Sequence, residues 1–245
     1  MFNKRFLFIS LMIFITINSV WGRTLKNRFT GMGYVTIGQH SLNITEFESI
    51  LQSSQLLYPD PVNSLVEFGG GGLFLINKWV ISGEGAGVSS VQETTGSYQT
   101  KLSGGFVKLE FGRLLYENSY LHIFPLLGIG NCVYNYKINK DLNESTFGDI
   151  INEPLTGTSL STSNLFVNAA LGVDYNINLR GSDIDAANLV FGIRIGYNYS
   201  LGAKEWNING MSANLSNGPD IGLDGLYINI MFGISGSNFQ DDEMY

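Results

Sequence analysis

Between residues 164 and 179 apolar and polar positions alternate almost without interruption. Leu165, Val167, Ala169, Leu171, Val173, Tyr175 and Ile177 share one parity, and Asn168, Asp174, Asn176 and Asn178 the other. A side-chain period of two defines a strand with one apolar face. Seven further segments read the same way, at roughly 30–39, 64–76, 79–88, 100–113, 120–136, 188–200 and 224–235. In 188–200 the apolar row is Leu189, Phe191, Ile193, Ile195, Tyr197 and Tyr199, against Arg194 and Asn198. In 224–235 it is Leu226, Ile228, Ile230, Phe232 and Ile234, against Tyr227, Asn229 and Ser235. In 100–113 Val107, Leu109 and Phe111 oppose Phe106, Lys108 and Glu110. The first segment is apolar on both parities. The fifth changes parity near Asn131, which a bulge would explain, and its Pro125 has no N–H for a ladder.

The connections alternate in length. Those at 39–63, 89–99, 137–163 and 201–223 are longer than the ones at 77–78, 117–118 and 179–187 that separate them. That order is expected of a membrane barrel with long external loops and short periplasmic turns. The Asn77-Lys78 turn supplies an internal check. A two-residue hairpin there pairs Ile76 with Trp79 and Phe74 with Ile81 on one face. The same register sets Glu67 opposite Val88 and Glu84 opposite Gly71 on the other.

Targeting decides which face is outside. Lys4 and Arg5 precede an apolar run over 6–17 and a cleavage point after Gly22, the layout of a secretory signal peptide. The run is short for a membrane anchor, and no later run reaches helical spanning length. The expected organisation is therefore a signal peptide at 1–22 and one barrel domain at 23–245 with a short C-terminal tail. With no helical layer to cover the apolar faces, they are expected to meet lipid. The fold class expected is all-β, an eight-stranded antiparallel up-and-down transmembrane barrel. A soluble lipocalin-like barrel and a ten-stranded barrel are the alternatives.

This orientation places Glu67, Glu84, Lys108, Glu110, Asp174 and Arg194 in the lumen. Eight strands leave room for little but side chains, so buried charges there must pair or be hydrated. Similar heights above the short turns predict two inter-strand ion pairs, Glu84–Lys108 and Asp174–Arg194. The cluster reads as a polar plug in preference to a channel lining. Phe74, Trp79 and Phe111 near the short turns, and Tyr197 and Tyr199 at the far ends, are expected to form two interfacial aromatic girdles.

The signal peptide, the segments Phe68-Gly69-Gly70-Gly71-Gly72-Leu73-Phe74 and Phe124-Pro125-Leu126-Leu127-Gly128-Ile129-Gly130, and the final Gly225-Leu226-Tyr227-Ile228-Asn229-Ile230-Met231-Phe232 together resemble the small outer-membrane β-barrel (porin-like) family. The resemblance implies the outer membrane of a Gram-negative bacterium. It also implies recognition by the barrel-insertion machinery through the last strand, with Gly225, Ile228 and Ile230 at suitable spacing. Family members include adhesins, anchors, small pores and a few lipid-modifying enzymes.

Composition removes other classes. Fourteen Lys and Arg face twenty-one Asp and Glu, and loss of Lys4 and Arg5 with the leader deepens the net charge from −7 to −9. Nucleic acid is an unsuitable partner for such a chain. Cys132 is the single cysteine, so neither a disulfide nor a Cys-based metal site is available. His40 and His122 are expected at opposite ends of the barrel, too far apart for one catalytic site, and no G-x-S-x-G turn presents a nucleophile. Gly69 to Gly72 lacks the lysine and helix of a phosphate loop. Asp141, Glu144, Asp149 and Glu153 read as a solvated acidic loop, and the Asn-x-Ser/Thr sequences at 43, 143 and 214 as weak matches in a chain rich in Asn and Ser. No enzyme activity and no cofactor or metal is expected. The function expected is an envelope anchor whose long loops meet an external ligand or surface. A narrow porin-like channel is the second reading and a lipid-modifying enzyme the third.

Overall fold

The computed structural model describes residues 28–53, 63–95, 98–140, 157–180, 185–202, 205–209, 214–215, 218–219 and 221–239. Its strands are β1 (Arg28–Ser41), β2 (Ser64–Ile76), β3 (Trp79–Ser89), β4 (Glu93–Thr95), β5 (Tyr98–Arg113), β6 (Tyr116–Glu117), β7 (Leu121–Lys140), β8 (Thr158–Arg180), β9 (Asp185–Ser200), β10 (Trp206–Ile208), β11 (Asn214–Leu215) and β12 (Gly225–Phe239). One helix, α1 (Thr45–Ser53), follows β1. The expected leader and cleavage point, the expected acidic loop with Asp141, Glu144, Asp149 and Glu153, and the last six residues lie outside the described residues.

Eight strands close into a ring in the order β1, β2, β3, β5, β7, β8, β9, β12 and back to β1, every pair antiparallel. Each of the eight period-two segments becomes one of them. The short strands β4, β6, β10 and β11 attach to neighbours inside the connections and add no member to the ring. The β2–β3 hairpin has the register read from its turn, with Ile76 against Trp79 and Glu84 against Gly71. Asn77 occupies the left-handed region there, at φ 56°. Both ends of the ring and the short turns lie at one end of the barrel, and the long connections lie at the other.

The structure departs from the sequence reading at several points. The strands run further than the alternation does: β8 begins at Thr158 and β12 continues to Phe239, so the closing strand ends at an aromatic position. The first long connection is partly helical. No bulge occurs at Asn131, because β7 keeps unbroken register with β5 and β8 through that residue. A register shift occurs instead between β8 and β9, at Asn178/Arg180. The parity change in β7 was only chemical. Phe124, Leu126, Tyr134 and Tyr136 are buried inside, while Asn131 and Asn135 sit on the outer parity with Ile129 and Val133. Pro125 lies where β7 has no ladder partner on that side, between the Gly112–Leu126 pair with β5 and the Tyr116–Ile123 pair with β6. Its missing N–H therefore leaves no gap in the sheet.

Inside the ring the apolar side chains form two separate clusters. One, at the long-connection end, joins Phe106, Tyr134, Tyr136 and Phe166 of the wall to Leu42, Ile44, Phe47, Trp206, Ile221 and Leu223 from the connections. The other, toward the short turns, contains Met32, Leu73, Leu75, Val80, Phe124, Leu126, Val190 and Met231. The outer wall is apolar almost throughout: Phe68, Val107, Leu109, Leu226, Ile230 and Ile234 are each at least 59% exposed. Such a surface in water would be a large aggregation-prone patch.

Candidate functional site

Between the two apolar clusters lies a belt of polar side chains. Its position follows from parity, since Glu67, Glu84, Lys108, Glu110, Asp174 and Arg194 all occupy inward positions and all are buried. Lys108 on β5 is the register partner of Glu84 on β3. Its Nζ lies 3.3 Å from Glu84 Oε1, 3.4 Å from Glu110 Oε1 and 4.9 Å from the centre of the Tyr227 ring. The Tyr34 hydroxyl donates to Glu84 Oε2 at 3.1 Å.

Arg194 and Asp174 form a second unit, joined by two hydrogen bonds of 2.5 and 3.0 Å. The sequence makes room for it locally. Asp174 faces Gly192 and Arg194 faces Gly172 across the β8–β9 ladder. A Cβ on Gly192 would stand 2.6 Å from Asp174 Oδ1, and one on Gly172 3.0 Å from the guanidinium carbon. The guanidinium also lies over the Phe124 ring, 4.7 Å from its centre. Such a two-pronged, stacked arrangement suits arginine and would not suit lysine.

A third unit gathers partners that were not expected around Glu67. His40 Nε2 is in close contact with Glu67 Oε2, and Asn229 donates its amide to Glu67 Oε1 at 3.0 Å. The His40 ring stacks on Tyr227 with centres 5.0 Å apart. Asn168 donates to Asn198 Oδ1 at 2.7 Å and to the Tyr227 hydroxyl at 2.9 Å. His40, the penultimate residue of β1, therefore has its ring inside the barrel, 2% exposed. Tyr34, His40, Asn168, Asn198, Tyr227 and Asn229 complete the belt. Parity could have nominated the asparagines and Tyr227. It could not nominate His40, because both faces of β1 read as apolar.

His122 sits at the other level of the lumen, 3.7 Å from Glu117 and 3.4 Å from the Asn176 amide. The two histidines share no site. Among the described residues no three His, Cys, Asp or Glu side chains are grouped to hold a metal. Below the belt a cavity of about 20 Å³ touches Met32, Phe124, Asp174 and Asn176. That is space for about one water sphere, not for a substrate. The arrangement can lock strands together and exclude solvent. It exposes no nucleophile or base to a ligand.

The five expected interfacial aromatics all lie on the outer parity, in two groups. Trp79 stacks on Phe111 at 5.0 Å beside the short turn, with Arg113 5.4 Å over the indole and Phe74 on the adjoining strand. Tyr197 and Tyr199 lie at the opposite end of β9, Tyr199 exposed and Tyr197 half-buried.

A closed antiparallel ring of eight strands, apolar outside and filled inside, has the architecture of an outer-membrane β-barrel. No protein-family model and no curated protein sequence matches the chain. Among solved structures it is similar to Ail, the attachment invasion locus protein of Yersinia pestis, at 14% identity over 87% of this chain and 99% of that one, with a TM-score of 0.33. It is similar to the outer membrane protein OprG of Pseudomonas aeruginosa at 14% identity over 89% and 99%, with a TM-score of 0.41. It is also similar to the outer membrane protease OmpT of Escherichia coli at 9% identity over 91% and 99%, with a TM-score of 0.30.

Proposed function

We propose that the protein is a non-conducting outer-membrane anchor that holds its long connections at the cell surface, where they engage an external ligand or surface. On this reading the short turns, the start of β1 and the end of β12 face the periplasm. The barrel reaches its place through the insertion machinery, and lipid is the partner of its wall. The observation that carries the proposal is the filling of the lumen. An apolar cluster, a paired polar belt and a second apolar cluster follow one another along the axis, and Phe47, Trp206, Ile221 and Leu223 close the end from which a solute would enter. Side chains fill barrels of this size, and only wider ones hold an aqueous channel. Binding through loops on a rigid body is the usual division of labour in such a design. Buried carboxylates without an accessible cavity argue against a lipid-modifying enzyme. Purified protein in a planar bilayer is expected to give no resolved current steps. Discrete, reproducible steps would favour a narrow porin-like channel and overturn the proposal.

A further inference from the structure

One sector of the outer wall differs from the rest. Across β3, β5, β7 and β8 the outward residues form a grid fixed by register. Lys101 is the partner of Lys137, Ser103 of Asn135, Gly105 of Val133 and Val107 of Asn131. On the flanks Ser89 faces Ser103, Gly87 faces Gly105, Ser161 faces Asn135 and Ser159 faces Lys137. Down the wall the two lysines give way to hydroxyls and amides, then to Gly105 and Val133 beside Ser163, and then to Val107 beside Asn131. Beneath them Leu109 and Ile129 begin the unbroken apolar surface.

Within this sector the wall is indented. An open trough of about 490 Å³ is bounded by Ser103, Gly105, Val107, Asn131, Val133 and Asn135. Its rim carries unused polar groups. Asn135 accepts from Asn209 through its oxygen, and its NH2 has no partner among the described residues. Like charges directly opposite one another on a sheet repel, yet the two lysines stand as cross-strand partners. Among the described residues no carboxylate pairs with either. Glu93, across from the buried Thr100, belongs to the inward parity. An anion between the ammonium groups would remove the conflict.

Height supplies the last element. Lys101 stands ten residues along β5 from Phe111. A strand rising about 3.3 Å per residue and tilted by about 40° gains roughly 25 Å over that length, the height of a barrel's apolar band. If the Trp79–Phe111 pair marks one membrane interface, the two lysines lie at the headgroup level of the other.

We propose that this sector is a binding site for a phosphate-headed membrane lipid, with the phosphate between Lys101 and Lys137, the polar linkage against Ser103 and Asn135, and an acyl chain in the trough over Gly105 and Val133. The proposal rests on the membrane reading above. Insertion into lipid nanodiscs made of equal parts phosphatidylcholine and phosphatidylglycerol, followed by native mass spectrometry of the ejected barrel, tests it. Phosphatidylglycerol is expected to be retained over phosphatidylcholine by roughly tenfold or more, the scale of two lysines at a membrane surface. K101A/K137A should abolish that preference. V133W, which fills the trough and keeps both lysines, should abolish it as well, and millimolar inorganic phosphate should not displace the lipid.

Equal retention of both lipids by the native protein, or an unchanged preference in K101A/K137A, would overturn the site. Full preference in V133W would reduce it to unspecific surface charge, and displacement by inorganic phosphate would make it a simple anion site. Either result refutes the proposal. Failure of the native chain to enter nanodiscs at all would instead refute the membrane reading on which it rests.

Discussion

Replacing Arg194 by alanine is the sharpest perturbation of the belt. Asp174 is 3% exposed, and Arg194 gives it both of its 2.5 and 3.0 Å hydrogen bonds. Of its two ladder partners, Gly192 offers no side chain and His122 has its ion-pair contact with Glu117. Truncation thus leaves a buried carboxylate without its cation, a change that typically costs about 3–5 kcal/mol. The stacking over Phe124 adds about 0.5–2 kcal/mol when desolvated. A total near 5 kcal/mol, with a denaturant slope of about 2 kcal/mol per molar, lowers the urea midpoint by roughly 2.5 M. Intrinsic fluorescence in detergent micelles reads the transition, since Trp79 on the wall and Trp206 in the cap report both ends of the barrel. The double variant D174N/R194M removes both charges and should recover most of the loss, a coupling of at least about 2 kcal/mol. The reasoning fails if R194A shifts stability by less than about 1 kcal/mol, or if the two substitutions simply add.

Three further substitutions probe the wall and the cap. Gly196→Ala places a Cβ 2.6 Å from the Tyr227 ring, whereas Gly33→Ala meets nothing within 4 Å on the outer face. The first should cost about 1–3 kcal/mol by overpacking and the second should be neutral or slightly stabilising, as urea melts would show. Phe47 packs edge-on to Tyr136 at 4.7 Å and parallel to Trp206 at 6.3 Å. Phe47→Ala should expose Trp206 to iodide quenching while moving the global urea midpoint little, because a loop cap opens as a local unit.

The ring itself was legible because each outer row repeats every second residue and the turns punctuate it. The loop-length order then supplied orientation. The Asn77-Lys78 hairpin could be registered from sequence, since two-residue loops leave no slack. Legibility failed where the lumen holds a core. Phe124, Leu126, Tyr134 and Tyr136 make both faces of β7 apolar, so parity alone cannot assign inside from outside. The same ambiguity hid His40 on β1. The cap was invisible for another reason: α1 is only nine residues long, and its buried Phe47 acquires meaning from Trp206, distant in sequence. Ion pairing was simpler. Each member of the lumen cluster stands on an inward position, and the glycines opposite Asp174 and Arg194 leave the space into which those two side chains reach.

The central claim is that the apolar row faces lipid and the polar row faces a closed lumen. Single cysteines placed in turn along 163–179 of β8, in a background where the buried Cys132 is serine, carry a fluorescent label in bilayers containing nitroxide lipid. Quenching should alternate with period two, strong at 165, 167, 171, 173 and 177 and weak at 168, 174 and 176. Quenching at the even positions, or none at the odd ones, would contradict the account.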